Sequence, residues 1–147
     1  MNSMADGACP SPGVEVESLN PLVSVLGRHA GGETILLVED EPFVCDVSAE
    51  VLQLAGYRVI VAQSADDALQ LCRGLEPIDL LLADIILPGM SGRDLARTVA
   101  SFHPRVRILL MSGYAHQFLH EQSGEYSQCL AKPFSMQTLL AKVREAL

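Results

Sequence analysis

The sequence predicts an α/β fold: a doubly wound, three-layer α/β/α sandwich around a five-stranded parallel sheet. Three observations carry that expectation. From Gly32 onward, apolar runs alternate with amphipathic stretches of helical period, the pattern of repeated strand–helix units. Most of the runs are apolar almost without interruption, as strands are when helices cover both faces of their sheet. Polar groups suited to phosphate and metal chemistry fall where the runs end, in Val38-Glu39-Asp40-Glu41, Leu82-Ala83-Asp84, Met111-Ser112-Gly113 and Ala131-Lys132-Pro133. In an open parallel sheet such ends meet in one crevice.

Strands are expected at Thr34 to Val38, Tyr57 to Val61, Ile78 to Ala83, Val106 to Met111 and Gln128 to Ala131. After the first, Val44, Val47, Val51 and Leu54 make a helical stripe that Gly56 ends. Behind the capping Ser64, Ala65, Ala68, Leu69 and Cys72 make a second; Leu95, Val99 and Phe102 follow Ser91, and Met136, Leu139, Leu140 and Val143 follow Ser135. A further helix is expected between Ala115 and Gln122, although His116, Gln117, His120 and Gly124 give it little propensity. Right-handed crossovers place the helices on both faces, and the expected strand order is the flavodoxin-like 2-1-3-4-5.

A chain of 147 residues, 49% of them hydrophobic, has the material for one domain with a real core. Ten Lys plus Arg against 18 Asp plus Glu give a formal charge of −8, and the arginines are scattered singly, which argues against direct nucleic-acid binding. Cys9, Cys45, Cys72 and Cys129 form no C-x-x-C pair and no zinc-finger spacing, so they read as reduced, mostly buried thiols of a cytoplasmic protein. The apolar stretch Leu22 to Leu26 is too short for a signal sequence or a membrane span. Residues 1–32, with Pro10, Pro12 and Pro21 and no sustained period, read as a flexible N-terminal tail or linker before a domain at 33–147.

Glu39 and Asp40 follow the first strand and Asp84 ends the third, its expected neighbour, so three carboxylates would share a pocket. Two unit charges about 4 Å apart repel by roughly 4 kcal/mol at an effective dielectric near 20, so such a cluster needs a proton or a cation. Hard oxygen ligands with room for water suit Mg²⁺. Taken singly, each acid reads equally well as a solvated strand cap. Lys132 could reach across onto a phosphoryl oxygen or a carboxylate, and Pro133 makes the preceding peptide a candidate cis bond. Alone, that lysine is a surface charge. Ser112 can donate to a phosphoryl oxygen or be an ordinary turn serine, and Leu87-Pro88-Gly89-Met90-Ser91-Gly92 is a turn-rich loop able to present a carbonyl to a metal.

The runs Thr34-Ile35-Leu36-Leu37-Val38-Glu39-Asp40-Glu41-Pro42, Leu82-Ala83-Asp84-Ile85-Ile86-Leu87-Pro88-Gly89-Met90-Ser91-Gly92, Leu110-Met111-Ser112-Gly113-Tyr114 and Leu130-Ala131-Lys132-Pro133-Phe134 together closely resemble the receiver domain of two-component response regulators. The resemblance covers Glu33 to Leu147, and its texture is also similar to receivers attached to hybrid histidine kinases. It implies that Asp84 accepts a phosphoryl group from a phosphohistidine on a histidine kinase or phosphotransfer protein. It implies that Asp40, Asp84 and the Ile86 carbonyl hold Mg²⁺ with help from Glu39, where Mn²⁺ can substitute, and that Ser112 and Lys132 bind the phosphoryl oxygens. The domain would then be a signalling switch that assists its own phosphorylation and dephosphorylation, not an enzyme acting on a separate substrate. Its output would pass to a downstream protein target or a homodimer, through the face formed by the fourth helix, fifth strand and fifth helix.

The chain departs from that pattern at Cys129, three residues before the lysine, where such receivers usually carry Tyr or Phe as a rotamer switch. Ile86 and Tyr114 occupy positions that in the family modulate water access to the phosphoryl group, and their bulk suggests a persistent phosphorylated state. Two other functions stay open from the residues: a phosphate-independent scaffold on the same fold, and a haloacid-dehalogenase-like Mg²⁺-dependent phosphohydrolase. The second normally needs another Asp two residues after its nucleophile, where this chain has Ile86.

Overall fold

A computed structural model describes residues 32–74, 77–113 and 129–147. Strand β1 (Thr34–Val38) leads into helix α1 (Pro42–Leu54), followed by β2 (Arg58–Ala62), α2 (Ala65–Arg73), β3 (Leu80–Asp84), α3 (Gly92–Phe102), β4 (Arg107–Ser112), β5 (Cys129–Ala131) and α4 (Met136–Ala146). All strand pairings are parallel, and the order is β2-β1-β3-β4-β5, as expected. Residues 1–31, the helix expected within 115–122, Tyr114 and Gln128 lie outside the described residues.

Alternation along the buried strands builds two cores. Ile35, Leu37, Leu80, Leu82, Leu109 and Met111 face α1 and α4, while Leu36, Val38, Leu81, Ala83 and Leu110 face α2 and α3. Strands β1 and β3 are buried at every position, which explains their uninterrupted apolar reading. Each fully buried Leu or Ile contributes about 1.5–3 kcal/mol relative to exposure, so the central strands dominate the stability of the sheet. β2 is the exception. As the edge strand it leaves Arg58 and Val61 exposed, and it runs one residue later than expected because Thr34 pairs with Arg58 while the buried Tyr57 donates its amide to Leu52 at the end of α1. β3 and β4 are likewise displaced towards the C-terminal edge, their lead-in residues Asp79 and Val106 being tied to Thr34 and His103 instead.

Ser64, Ser91 and Ser135 each cap a helix by accepting from the backbone amide three residues on, which begins α2, α3 and α4 where the sequence places them. The face that α1 buries differs from expectation. Cys45, Ser48, Val51 and Leu52 turn inward, whereas Val47 is 38% and Leu54 67% exposed. The helix lies against both the sheet and α4, and this two-sided packing rotates its buried face by about one residue from the valine stripe. Phe102 and Met136 also stay substantially exposed, Phe102 lying 5.8 Å beneath the Arg73 guanidinium. Cys45 and Cys72 are buried thiols and Cys129 is half-buried. Among the described residues no helix is long and apolar enough to cross a membrane.

Candidate functional site

The C-terminal edge of the sheet gathers the polar residues that close β1, β3, β4 and β5. Asp84 is the last residue of β3, and its backbone pairs in register with Met111 of β4, so its side chain is set by the sheet itself. Its Oδ2 accepts from Lys132 Nζ at 2.6 Å, and its Oδ1 accepts from the Ile86 amide at 3.0 Å. Lys132 follows β5, its amide donates to the Ser112 carbonyl at 3.0 Å, and the Lys132–Pro133 peptide is cis. Ser112 ends β4 opposite Ala131 and is buried.

Glu39 is almost wholly buried just beyond β1, anchored by its amide to Ala62 of β2. Its Oε2 accepts from the Glu41 amide at 3.1 Å. Its Oε1 lies 2.8 Å from Lys132 Nζ, an ionic contact that is not aligned as a hydrogen bond, so this buried oxygen keeps unused acceptor capacity. Glu39, the exposed Asp40 and Asp84 each place one carboxylate oxygen within 4.8 Å of the others. Glu39, Asp40, Asp84 and Lys132 thus come together, with Ser112 buried at the end of β4, while Ile86, expected there by its backbone, bonds Asp84 through its amide and leaves its side chain 62% exposed.

Electrostatics follow from that crowding. Burial pushes the Glu39 carboxyl above its ordinary range, and the nearby Lys132 and the Glu41 amide only partly offset this. For Lys132, burial acts to lower the ammonium's affinity for its proton, but the contacts with Asp84 and Glu39 outweigh it and the net direction is upward. Among the described residues, three carboxylates against one ammonium leave the pocket short of positive charge. An all-oxygen donor set in which one buried carboxylate oxygen keeps acceptor capacity beside its ionic contact fits a hard divalent cation such as Mg²⁺.

With this geometry in hand, likeness to known proteins decides the family. The family described as response regulator receiver domain matches residues 35–144. The chain belongs to that family. This receiver is 34% identical over 121 residues to the sensor kinase CckA of Brucella abortus, covering 80% of this chain but 13% of that protein. It is 31% identical to the response regulator receiver protein CpdR of the same organism, covering 77% of this chain and 95% of CpdR. Among solved structures it is similar to the response regulator protein TrrA of Thermotoga maritima in complex with Mg²⁺ and BeF, with a TM-score of 0.67, 30% identity and coverage of 78% and 99% of the two chains.

Sequence reasoning missed several parts of this receiver's site. The amides of Glu41 and Ile86, which orient Glu39 and Asp84, depend on loop conformation that residue type does not encode. A cleft of about 470 Å³ opens beside Lys132, lined by Phe43, Val44, Val47, Pro133 and Phe134. The aromatic residue directly after each proline, Phe43 after Pro42 and Phe134 after Pro133, was the available signal.

Proposed function

We propose that this receiver takes a phosphoryl group onto the Asp84 carboxylate from a partner's phosphohistidine, and that phosphorylation changes its affinity for a downstream protein. The observation that carries the reading is the Asp84 carboxylate itself, held between the Lys132 ammonium and the Ile86 amide with two further acids beside it. An Asp84 oxygen would form the new P–O bond as the P–N bond to the histidine breaks, the electron pair leaving with the imidazole, to give an acyl phosphate on the receiver. Lys132 would shift its charge from the carboxylate to the transferred group, and the Ser112 hydroxyl would donate to another phosphoryl oxygen. Asp40, Asp84 and the Ile86 carbonyl would hold Mg²⁺, with Glu39 assisting, and the bound ion supplies charge neutralisation for phosphoryl transfer. The protein's contribution is positioning and charge compensation rather than proton transfer.

The apolar cleft beside Lys132 supports the approach of a partner bearing the phosphohistidine, since Phe43 is 73% exposed and sits within reach of the same edge. A histidine kinase or histidine phosphotransfer protein fits that role, in the cytoplasm, where two-component phosphotransfer takes place. The chain spans only a small part of the kinase CckA but nearly all of CpdR, so both a hybrid-kinase setting and a stand-alone receiver are compatible with it. The test is incubation with acetyl phosphate and Mg²⁺ followed by intact mass measurement. Wild type gains one phosphoryl group and Asp84→Asn gains none; labelling of the variant at the wild-type level sinks the assignment.

A further inference from the structure

Gly92 is the first residue of α3, and its amide donates to the Ile85 carbonyl over 2.7 Å. A β-carbon at this position would fall inside van der Waals contact with the carbonyl oxygen of Asp84, and would lie 2.9 Å from both the Asp84 carbonyl carbon and Ile85 Cα. All of these are backbone atoms, so no flexible side chain can swing aside. The backbone of Gly92 is itself outside the left-handed region, so the constraint is one of space and not of torsion. Gly89, three residues earlier, is the opposite case: open space surrounds it, and its φ of +83° is what calls for glycine.

The peptide beneath Gly92 is the one that sets the site. The Asp84 carboxylate and the Ile86 amide that orients it flank Ile85, whose carbonyl receives the Gly92 amide. The first turn of α3 is therefore seated on the segment that aims the carboxylate. That turn cannot yield freely, because Ser91 caps it and Leu95, Ala96 and Val99 fix the helix in the core. A methyl group at position 92 would have to displace the Asp84–Ile85 peptide by about 1 Å, and a misplacement of that size can lower a rate about a hundredfold.

We propose that Gly92 is a positioning residue for Asp84: its missing side chain lets α3 press on the Asp84–Ile85 backbone and hold the carboxylate in line with Lys132. This rests on Asp84 being the phosphoacceptor. The test follows phosphorylation of wild type and Gly92→Ala by intact mass over a range of acetyl phosphate at saturating Mg²⁺. The maximal rate per folded molecule is expected to fall about ten- to a hundredfold, with the half-saturating donor concentration changed by less than about twofold. Gly74→Ala, where nothing lies within 4 Å of the new carbon, keeps the wild-type rate. A lowered melting temperature with an unchanged maximal rate would mean that Gly92 serves packing alone, and overturns the proposal.

Should Gly92→Ala fail to fold, Ser91→Ala decides, because losing the cap loosens the same turn without adding bulk. A two- to fivefold slower maximal rate, on the order of what such loosening implies, supports the proposal, and the wild-type rate overturns it. Wild type that takes up no phosphoryl group sinks the Asp84 reading itself, which separates the two failures.

Discussion

Lys132 Nζ and Asp84 Oδ2 stand 2.6 Å apart although 48 residues separate them and their strands, β5 and β3, are not neighbours. The lysine reaches over the end of β4, passing Ser112, and touches Glu39 beyond β3 as well. One ammonium thus joins the ends of three strands through a contact that phosphorylation of Asp84 would change directly.

Removing that ammonium should therefore disconnect phosphorylation from response. Lys132→Ala is expected to accept phosphate at a reduced rate yet lose the change in amide exchange that beryllofluoride with Mg²⁺ induces in wild type. Its stability should fall by about 2 kcal/mol, less than the 3–5 kcal/mol of a fully buried broken pair because the lysine is 22% exposed. An unaltered exchange response in the variant refutes the role.

Asp40 is exposed and makes no contribution to the core, so its replacement should separate metal binding from folding. Asp40→Ala is expected to weaken Mg²⁺ binding at least about tenfold by calorimetric titration, while metal-free stability is no lower than wild type because one of three mutually repelling carboxylates is gone. Equal Mg²⁺ affinity in wild type and variant counts against Asp40 as a ligand.

Alkaline pH should destabilise the reduced protein. Burial raises the thiol pKa of Cys45, with the charges of Asp46 and Glu39 adding to it, and burial likewise raises those of Cys72 and Cys129. A raised folded-state value means stability that is fully present below the unfolded thiol pKa of about 8.5 and is lost as pH rises through the folded value. Denaturant titrations from about pH 8 to 10 should show falling stability, by at most about 1.4 kcal/mol per pH unit for each thiol. Cys45→Ala should flatten the slope; an identical slope would remove Cys45 from the account.

Two leucines two residues apart on α1 test its packing. Leu52 is fully buried and Leu54 is 67% exposed. Leu52→Ala is expected to cost about 3 kcal/mol and Leu54→Ala less than about 0.5 kcal/mol by chemical denaturation. Equal losses would restore the valine stripe as the buried face.

Where local pattern and tertiary demand coincide, the elements were legible. The apolar runs of β1 and β3 have one stable use, burial between two helical layers, and Ser64, Ser91 and Ser135 announce their helices because a cap acts within three residues. The inward face of α1 was not legible, since Val44, Val47, Val51 and Leu54 satisfy helical period as well as Cys45, Ser48 and Leu52 do, and only the neighbouring α4 and sheet select between them. β2, β3 and β4 were each read as starting early, because the amides of their lead-in residues Tyr57, Asp79 and Val106 bond to Leu52, Thr34 and His103, contacts that no apolar run announces.

By itself the sequence determined the parallel five-stranded order and the set of polar residues at its strand ends, because hydrophobic period and chain connectivity leave few ways to bury such runs. Tertiary structure alone decided how those residues meet: Lys132 on two carboxylates at once, Glu39 Oε1 left without an aligned donor, the Ile86 amide on Asp84, and the β-carbon that Gly92 cannot have. Those contacts join loops across distant strands. Their geometry is fixed only after the two cores have closed around the sheet, since no local propensity sets a distance between residues 48 positions apart.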